Sequence, residues 1–390
     1  MFFSITPKPQ SNYSHFYHLG PFVVSTDAGW QRHDTDAYSC IYKGYADSDR
    51  LFDLLDQIAT QTEPQLFGNF CMIVYNNASK QLQVKSDRWR SFPLYFDKNI
   101  VTNLLPRANT AWTDSLLTIE EDFSIKEDKF DVVGSIDTTE LTFVEVINLI
   151  DKILLERTQN FIKNNILPVR VFLSGGVDSL LVYSYLEKFT NNYKLVKGLH
   201  IDFDRFWLMN HDTIKKNFWG YTQIHHWNDP CILTSGAPGD EFMLRSPVTA
   251  DLFLKFHNYN IIDLLEKENS KYCLHRAYFQ KPANYQIFKT QTVNPTWTRE
   301  QLFWNLCNII VNDWQHWHIG NTLTWTPLRD LEIFKLILRL PLSDTINQIM
   351  DSGLSKQLIE HNQMGLSQLI STQKNSGNYM SNLCDFYCAH

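Results

Sequence analysis

The sequence predicts two domains, a β-rich first domain followed by an α/β second domain. The chain has 390 residues, which is enough for two domains of ordinary size. Residues 1–100 consist of short apolar runs separated by turn residues, a pattern typical of antiparallel sheets. Farther along, an apolar strand leads through a Gly-Gly turn into an apolar helix, which indicates a parallel α/β arrangement.

The clearest strand pattern of the first domain lies between residues 67 and 97. Residues 70–75 form an apolar run and residues 76–80 form a turn cluster. Residues 81–85 then alternate in polarity, and a turn at residues 90–93 leads into another short strand at 94–96. These segments predict consecutive antiparallel strands.

The middle of the chain changes character. Residues 118–138 are acidic and polar, and we interpret them as a linker or an excursion between the domains. Beyond them, apolar residues from Phe143 to Leu154 recur at helical spacing, and Thr142 with Glu145 matches a capping box. The domain limits that follow are 1–125 for the first domain, 126–140 for the linker and 141–390 for the second domain.

The second domain opens with a strand, a tight loop and a helix. Residues 169–173 predict a buried strand, and a helix is expected from Val177 to about Phe189. Gly175 and Gly176 have no Cβ, so a ligand can approach the backbone between these elements. The next strand is expected from Leu195 to Ile201.

The loop between that strand and helix has the chemistry of a phosphate site. The helix start offers N–H groups and the positive end of the helix dipole, and the hydroxyls of Ser174 and Ser179 can donate to phosphate oxygens. Asp178 would be repelled by a bare phosphate and is better suited to bind Mg²⁺. No lysine lies near the turn, so this is not a Walker loop.

Four segments carry a resemblance to known enzymes. Residues 174–179 resemble the loop of the N-type ATP pyrophosphatases. Residues 233–241 are similar to the Ser-Gly-x-Gly-x-Asp-Glu segment of class B asparagine synthetases and β-lactam synthetases. Residues 326–341 are similar to the Val-Pro-Phe-Leu-Asp segment of the same enzymes. Residues 68–95 resemble the end of the glutaminase domain of those enzymes. All four occur in family order, so the resemblance covers nearly the whole chain.

The resemblance implies a fold and a set of site residues. The first domain would be an α+β, Ntn-hydrolase-like β-sandwich, and the second an α/β parallel-sheet ATP pyrophosphatase domain of the adenine nucleotide α-hydrolase-like type. ATP and Mg²⁺ would be the cofactors. The residues implied to contact pyrophosphate are Ser174, Gly175, Gly176, Val177, Asp178 and Ser179, and those implied to contact adenine are Leu199, His200 and Ile201. Gly236 would lie close to the bound adenylate, Asp178 and Asp240 would bind Mg²⁺, and Lys374 would contact the adenylation transition state.

The sequence also departs from the family. The chain begins Met1-Phe2 and its first cysteine is Cys40, so we expect no glutamine hydrolysis by an N-terminal thiol. The family glutamate that precedes Val-Pro-Phe-Leu-Asp has no counterpart in residues 316–326. His316 and His318 are candidate bases in its place, with packing among tryptophans as the alternative.

The function expected from these features is an ATP-dependent carboxylate–amine ligase that releases AMP and pyrophosphate. Its partners would be a small carboxylate and an amine. The alternative is a catalytically degenerate descendant that binds nucleotide or acts as an assembly partner. Adenylation of a nucleobase is disfavoured because the chain has no Cys-x-x-Cys motif and resembles a glutaminase at its start.

Composition limits the partners and the cellular location that we expect for this protein. The net charge of −7 disfavours a nucleic-acid partner, and seven scattered cysteines fit a reducing cytoplasm. We find no signal peptide and no apolar run of the roughly 18 residues that could span a bilayer. The expected location is therefore cytoplasmic, without a membrane partner, and a homodimer is one candidate state. A zinc site at Cys384, Cys388 and His390 is disfavoured because its spacing is uncommon.

Overall fold

The structure of the protein is a computed structural model. It describes residues 3–46, 68–87, 92, 94–103, 109–111, 115–129, 137, 139–165, 167–173, 176–197, 231–234, 236, 239–243 and 322–369. The described residues form two compact units: the first comprises those within Met1–Gly134 together with Thr322 and Leu323, and the second comprises those within Ser135–Pro282 and Thr324–His390. No helix in the described ranges combines the length and the apolar character needed to cross a membrane.

The first unit contains two six-stranded antiparallel sheets. The strands of the first sheet are β1 (Phe3–Thr6), β2 (His15–Leu19), β3 (Phe22–Thr26), β8 (Tyr95–Asp97), β9 (Ile100–Thr102) and β10 (Asn109–Thr110). Their spatial order is β10-β8-β9-β1-β3-β2. The strands of the second sheet are β4 (Gln31–Asp34), β5 (Tyr38–Ala46), β6 (Gly68–Asn76), β7 (Leu82–Ser86), β11 (Ser115–Ile119) and β12 (Ile125–Lys129). Their order is β12-β11-β7-β6-β5-β4.

The two sheets of this unit contact each other through aromatic and charged side chains. The ring of Phe22 on β3 lies edge-on to Tyr75 on β6, with ring centroids 6.1 Å apart. Lys43 on β5 contacts the two residues that directly follow β3: its ammonium lies 3.3 Å from the Asp27 carboxylate and donates to the carbonyl of Ala28. The ammonium of Lys43 is buried, and that burial lowers its pKa despite the opposing charge of Asp27.

The strand expected at 70–75 is confirmed within β6, and the strands expected at 81–85 and 94–96 correspond to β7 and β8, each of which begins and ends one residue later than expected. The polar stretch interpreted as a linker differs from expectation. Its first part completes β11 and forms β12, an antiparallel hairpin in the second sheet. β12 lies at the edge of that sheet, where charged side chains are favoured, and Lys126 pairs with Asp128 at 2.8 Å. An edge strand of this kind has the composition of a linker.

The second unit begins with helix α1 (Phe143–Asn164). The predicted capping box is confirmed, because the Thr142 N–H donates to Glu145 at 2.8 Å and the Glu145 N–H donates to the Thr142 hydroxyl at 3.3 Å. The buried face of α1 comprises Val146, Ile147, Ile150, Leu154, Thr158 and Phe161. Phe161 stacks on Trp325 with ring centroids 4.1 Å apart, which joins the helix to the sheet of this unit.

That sheet is four-stranded, with β13 (Val169–Leu173), β14 (Tyr193–Lys197), β15 (Cys231–Thr234) and β16 (Thr322–Trp325) in the order β14-β13-β15-β16. β13 is parallel to both β14 and β15. The other helices of the described residues are α2 (Val177–Leu186), α3 (Gly239–Phe242), α4 (Leu331–Ile337), α5 (Leu342–Asp351), α6 (Gly353–Asn362) and a 3-10 helix at Leu366–Leu369. β13 has its predicted limits, α2 ends before Phe189, and β14 starts before Leu195.

Candidate active site

The candidate site lies where the strand order of the parallel sheet reverses. After β13 the chain continues to β14 on one side of β13, and β15 then pairs on the other side. In open α/β sheets, ligands bind outside the carboxyl ends of the strands at this switch point. The carboxyl ends here are Leu173 of β13 and Thr234 of β15, and the first two of the three motif segments of the second domain continue from them.

Helix α2 begins at this switch point. Gly176 is its N-cap residue, in an extended conformation, and the Leu180 N–H donates to the Gly176 carbonyl at 3.2 Å. Helix geometry directs the N–H groups of the first turn, from Val177 to Ser179, out of the N-terminus. The helix is apolar and buried on nearly all sides, so these groups are held in a fixed position beside the strand ends. This arrangement is suited to an anion.

Ser179 has a different role from the one its position in the motif suggests. It is buried, and its hydroxyl donates to the Gly176 carbonyl at 2.8 Å. The hydroxyl proton therefore stabilises the first turn of α2 in this structure. To donate to a phosphate oxygen, the Ser179 side chain would have to give up this bond.

The second motif segment packs directly on the first turn of α2. A Cβ built on Gly236 would lie 2.2 Å from the Asp178 carbonyl carbon and 2.3 Å from the Ser179 nitrogen. A Cβ built on Gly239 would lie 2.6 Å from the carboxyl carbon of Asp178. Real Cβ atoms do not approach other atoms so closely. At Gly236 the close atoms belong to the backbone, so only glycine allows the contact, whereas at Gly239 they belong to side chains that would have to move to admit a Cβ. Residues far apart in the chain are brought together here.

Asp240 follows Gly239 in α3, the short helix of this segment. The structure describes the backbone of Asp240 but not its side chain. Because Gly239 lies against the Asp178 carboxyl group, the backbone that carries Asp240 is adjacent to Asp178. The backbone positions of the two aspartates predicted to bind one metal ion are thus close in space.

The third motif segment also lies close to Gly239. A Cβ at Gly239 would lie 2.8 Å from the Leu328 side chain, so the segment at 326–341 also reaches this place. Asp330, in the same segment, is buried and caps α4 by accepting from Glu332 N at 2.7 Å. Its other oxygen accepts from Arg157 of α1 at 2.9 Å. This ion pair holds the segment against α1.

Three further side chains position the site and were not predicted from the sequence: Tyr185, Phe242 and Arg329. Tyr185 of α2 donates its hydroxyl to Asp151 of α1 at 2.7 Å, and burial together with that bond raises its pKa above the ordinary value. Phe242 of α3 packs edge-on against Phe334 of α4, with ring centroids 6.1 Å apart. The buried guanidinium of Arg329 lies over the same Phe242 ring. Local patterns carry no signal for such long-range contacts.

The structure thus places four predicted phosphate-loop residues, Gly176, Val177, Asp178 and Ser179, at the start of α2, with Gly236 packed against them and the Asp240 backbone adjacent. The other predicted site residues lie outside the described part of the chain. They are Ser174, Gly175, Leu199, His200, Ile201, His316, His318 and Lys374. Their proposed roles remain predictions.

Comparisons with known proteins give only distant likenesses. No family model matches the chain, and no curated protein matches it. Two solved structures with distant similarity are a glutamine phosphoribosylpyrophosphate amidotransferase from B. subtilis complexed with ADP and GMP, and an allosteric regulatory enzyme of purine biosynthesis. Each is 9% identical, with 58% of this chain and 64% of the other covered and a TM-score of 0.20. This chain therefore spans less than two thirds of either, and likenesses at this level carry no argument about its function.

Proposed function

We propose that this protein is an ATP-dependent carboxylate–amine ligase of the asparagine synthetase-like type, which releases AMP and pyrophosphate. The observation that carries the proposal is the contact of Gly236 and Gly239 with Asp178 at the start of α2. It joins two motif segments at the switch point of the sheet, where nucleotides bind in α/β folds. A glycine-rich loop without a lysine fits release of pyrophosphate better than transfer of the γ-phosphoryl group.

The proposed reaction has two steps. A carboxylate oxygen of the substrate attacks the α-phosphorus of ATP, and the bond from that phosphorus to the β-phosphate oxygen breaks, which releases pyrophosphate. An amine then attacks the acyl carbon, AMP leaves with the electron pair of the acyl–oxygen bond, and the amine proton passes to a base. The first turn of α2 would stabilise the negative charge that develops on the phosphates.

Magnesium fits the residues at this place. Carboxylate oxygens are the protein ligands that Mg²⁺ prefers, and Asp178 is adjacent to the backbone that carries Asp240. Asp178 and Asp240 would hold the ion, which would neutralise charge on the leaving pyrophosphate. Asp178 also lies in the first turn of α2, so the metal and the helix N-terminus would act on the same ligand.

The first unit would serve as a scaffold in this proposal. Its two antiparallel sheets are compatible with an Ntn-hydrolase-type sandwich. Both cysteines described in this unit, Cys40 and Cys71, are fully buried, so neither is available as a glutaminase nucleophile. An amine substrate is therefore the proposed source of nitrogen.

A second candidate is a protein that binds ATP without ligase activity. It is favoured by the sequence from His316 to Thr326, which contains no carboxylate to act as a base. The two candidates agree on the nucleotide site. They differ in whether ATP is turned over.

Both candidates can be tested in one experiment. The protein is incubated with ATP, Mg²⁺ and pools of carboxylates and amines, and AMP and pyrophosphate are measured, with Asp178→Asn as the control. The ligase predicts AMP and pyrophosphate in equal amounts that depend on a carboxylate and disappear in the variant. ATP binding without turnover across the pools supports the second candidate, and ADP as product rejects the proposed mechanism.

A further inference from the structure

Gln348, on α5, is connected by hydrogen bonds to the segment that carries Asp240. Its side chain is fully buried. The amide nitrogen donates to the Met243 carbonyl at 3.1 Å and to the Ser355 hydroxyl at 3.0 Å. The amide oxygen accepts from the N–H groups of Leu354 at 2.8 Å and Ser355 at 3.3 Å. The amide therefore uses both of its donors and both of its acceptor positions.

Met243 ends the segment whose start packs on Asp178. The Gly239 N–H donates to the Gly236 carbonyl at 2.7 Å, and the Met243 N–H donates to the Gly239 carbonyl at 2.8 Å. Helix α3 is therefore little more than one turn, and a single turn is not stable by itself. Tertiary contacts must therefore define where it lies: Asp178 at Gly239, Phe334 and Arg329 at Phe242, and Gln348 at Met243.

We propose that Gln348 is a positioning residue that fixes the turn bearing Asp240 for metal binding. The inference rests on the proposed function, because it assigns Asp240 to Mg²⁺. Mutation of a residue that orients a metal ligand typically lowers metal affinity by about 10–100-fold. Without its bond from Gln348, the Met243 carbonyl loses one of the contacts that hold this turn, and we expect the backbone of Asp240 to shift.

The two halves of the Gln348 amide have separable roles. The oxygen accepts from the first N–H groups of α6, which is a structural role at a helix N-terminus. The nitrogen makes the bond to Met243. Gln348→Glu keeps an acceptor for α6 and removes the donor to Met243. Ser355→Ala is the matched control, because it removes one bond of the same amide on the α6 side and leaves the bond to Met243 intact.

The test measures ATP binding to the full-length chain by equilibrium dialysis at stepped Mg²⁺ concentrations, with thermal unfolding recorded for each variant. For Gln348→Glu, the Mg²⁺ concentration that half-saturates ATP binding is expected to rise about tenfold or more. ATP binding in EDTA is expected to be unchanged. Ser355→Ala is expected to match the wild-type Mg²⁺ dependence even where its melting temperature falls.

Three other outcomes would contradict the positioning role of Gln348. A folded Gln348→Glu variant with the wild-type Mg²⁺ dependence overturns the positioning role and leaves the proposed function standing. A wild-type chain with no Mg²⁺-dependent ATP binding overturns both. If Gln348→Glu does not fold, Gln348→Met removes the same donor without a buried charge and is measured in the same way. Loss of folding in both variants shows that Gln348 is purely structural.

Discussion

Gly236 and Gly239 illustrate what single residues contribute to this site. The sequence predicts contact of Gly236 with a bound adenylate, and the structure adds that its Cα lies against the backbone of Asp178 and Ser179. The role of Gly239 could not be predicted from the sequence, because it depends on Asp178 and Leu328, both distant in the chain. The tendency of a glycine to form a turn can be read from its neighbours in the sequence, but the distant residue that packs against it cannot.

Gly236→Ala is predicted to disrupt the site. The new Cβ would lie 2.2 Å from backbone atoms of Asp178, which cannot move away as a flexible side chain can. Overpacking of this kind costs about 1–3 kcal/mol of the free energy of unfolding. Urea denaturation measures this loss. Gly353→Ala is the control, because its Cβ would meet only the amide end of the Asn347 side chain. Equal stability of the two variants would show that the close contact does not exist.

Cys40 predicts a dependence of stability on alkaline pH. The thiol is fully buried, and desolvation raises its pKa, so the folded state keeps the proton that the unfolded chain releases above about pH 8.5. A raised pKa in the folded state contributes stability that is present below the unfolded pKa and is lost as pH rises above it. The free energy of unfolding should therefore fall by up to about 1.4 kcal/mol per pH unit for each such thiol.

Urea unfolding of the wild type and Cys40→Ala under reducing conditions, from pH 7.5 to 10 in steps, tests this prediction. The variant should be less stable at every pH because it leaves a cavity, but its stability should fall less steeply with pH. Other titrating groups, including the buried Lys43 with its lowered pKa, are present in both proteins and cancel in the comparison. Parallel pH profiles would mean that Cys40 does not contribute.

At the scale of elements, α1, α2 and the strands β6, β7 and β13 were predictable, and the edge strand β12 was not. α1 has a long apolar face and a capping box, and both signals are local. β12 is polar because one of its edges pairs with no other strand among the described residues, so its charged residues resemble a linker. The hairpin β11–β12 could be predicted only by knowing that β7 pairs with β11, and that pairing joins residues far apart in the chain.

The Arg157–Asp330 pair is predicted to stabilise the contact between α1 and the segment that precedes α4. Asp330→Asn keeps an oxygen to cap α4 and removes the charge that pairs with Arg157. A loss of about 2 kcal/mol is expected, below the about 3–5 kcal/mol of fully buried pairs because the Arg157 side chain is 26% exposed. Chemical denaturation measures it. Glu332→Gln removes the partner of Lys335 in a more exposed pair and should change stability by less than about 1 kcal/mol. Similar losses in both variants would argue against a special role for Asp330.

At the scale of the whole molecule, sequence patterns predicted the two kinds of sheet but not their assembly. Short alternating strands indicated antiparallel sheets, and the strand at 169–173 with its glycine loop indicated a parallel one. The order β14-β13-β15-β16 depends on pairing between strands that long connections separate, and no local period encodes it. That order brings residues 176–179 next to Gly236 and Gly239. The candidate site is thus a product of topology acting on motifs that the sequence already displays.

The most direct test of the proposed chemistry is exchange of labelled pyrophosphate into ATP. The protein is given unlabelled ATP, Mg²⁺, labelled pyrophosphate and a pool of carboxylates with no amine present. Reversible adenylation predicts that label enters ATP only when carboxylates are present, and that Asp178→Asn abolishes the exchange while it remains folded. Release of ADP, or the same exchange in folded Asp178→Asn as in the wild type, would contradict an adenylating site at the start of α2.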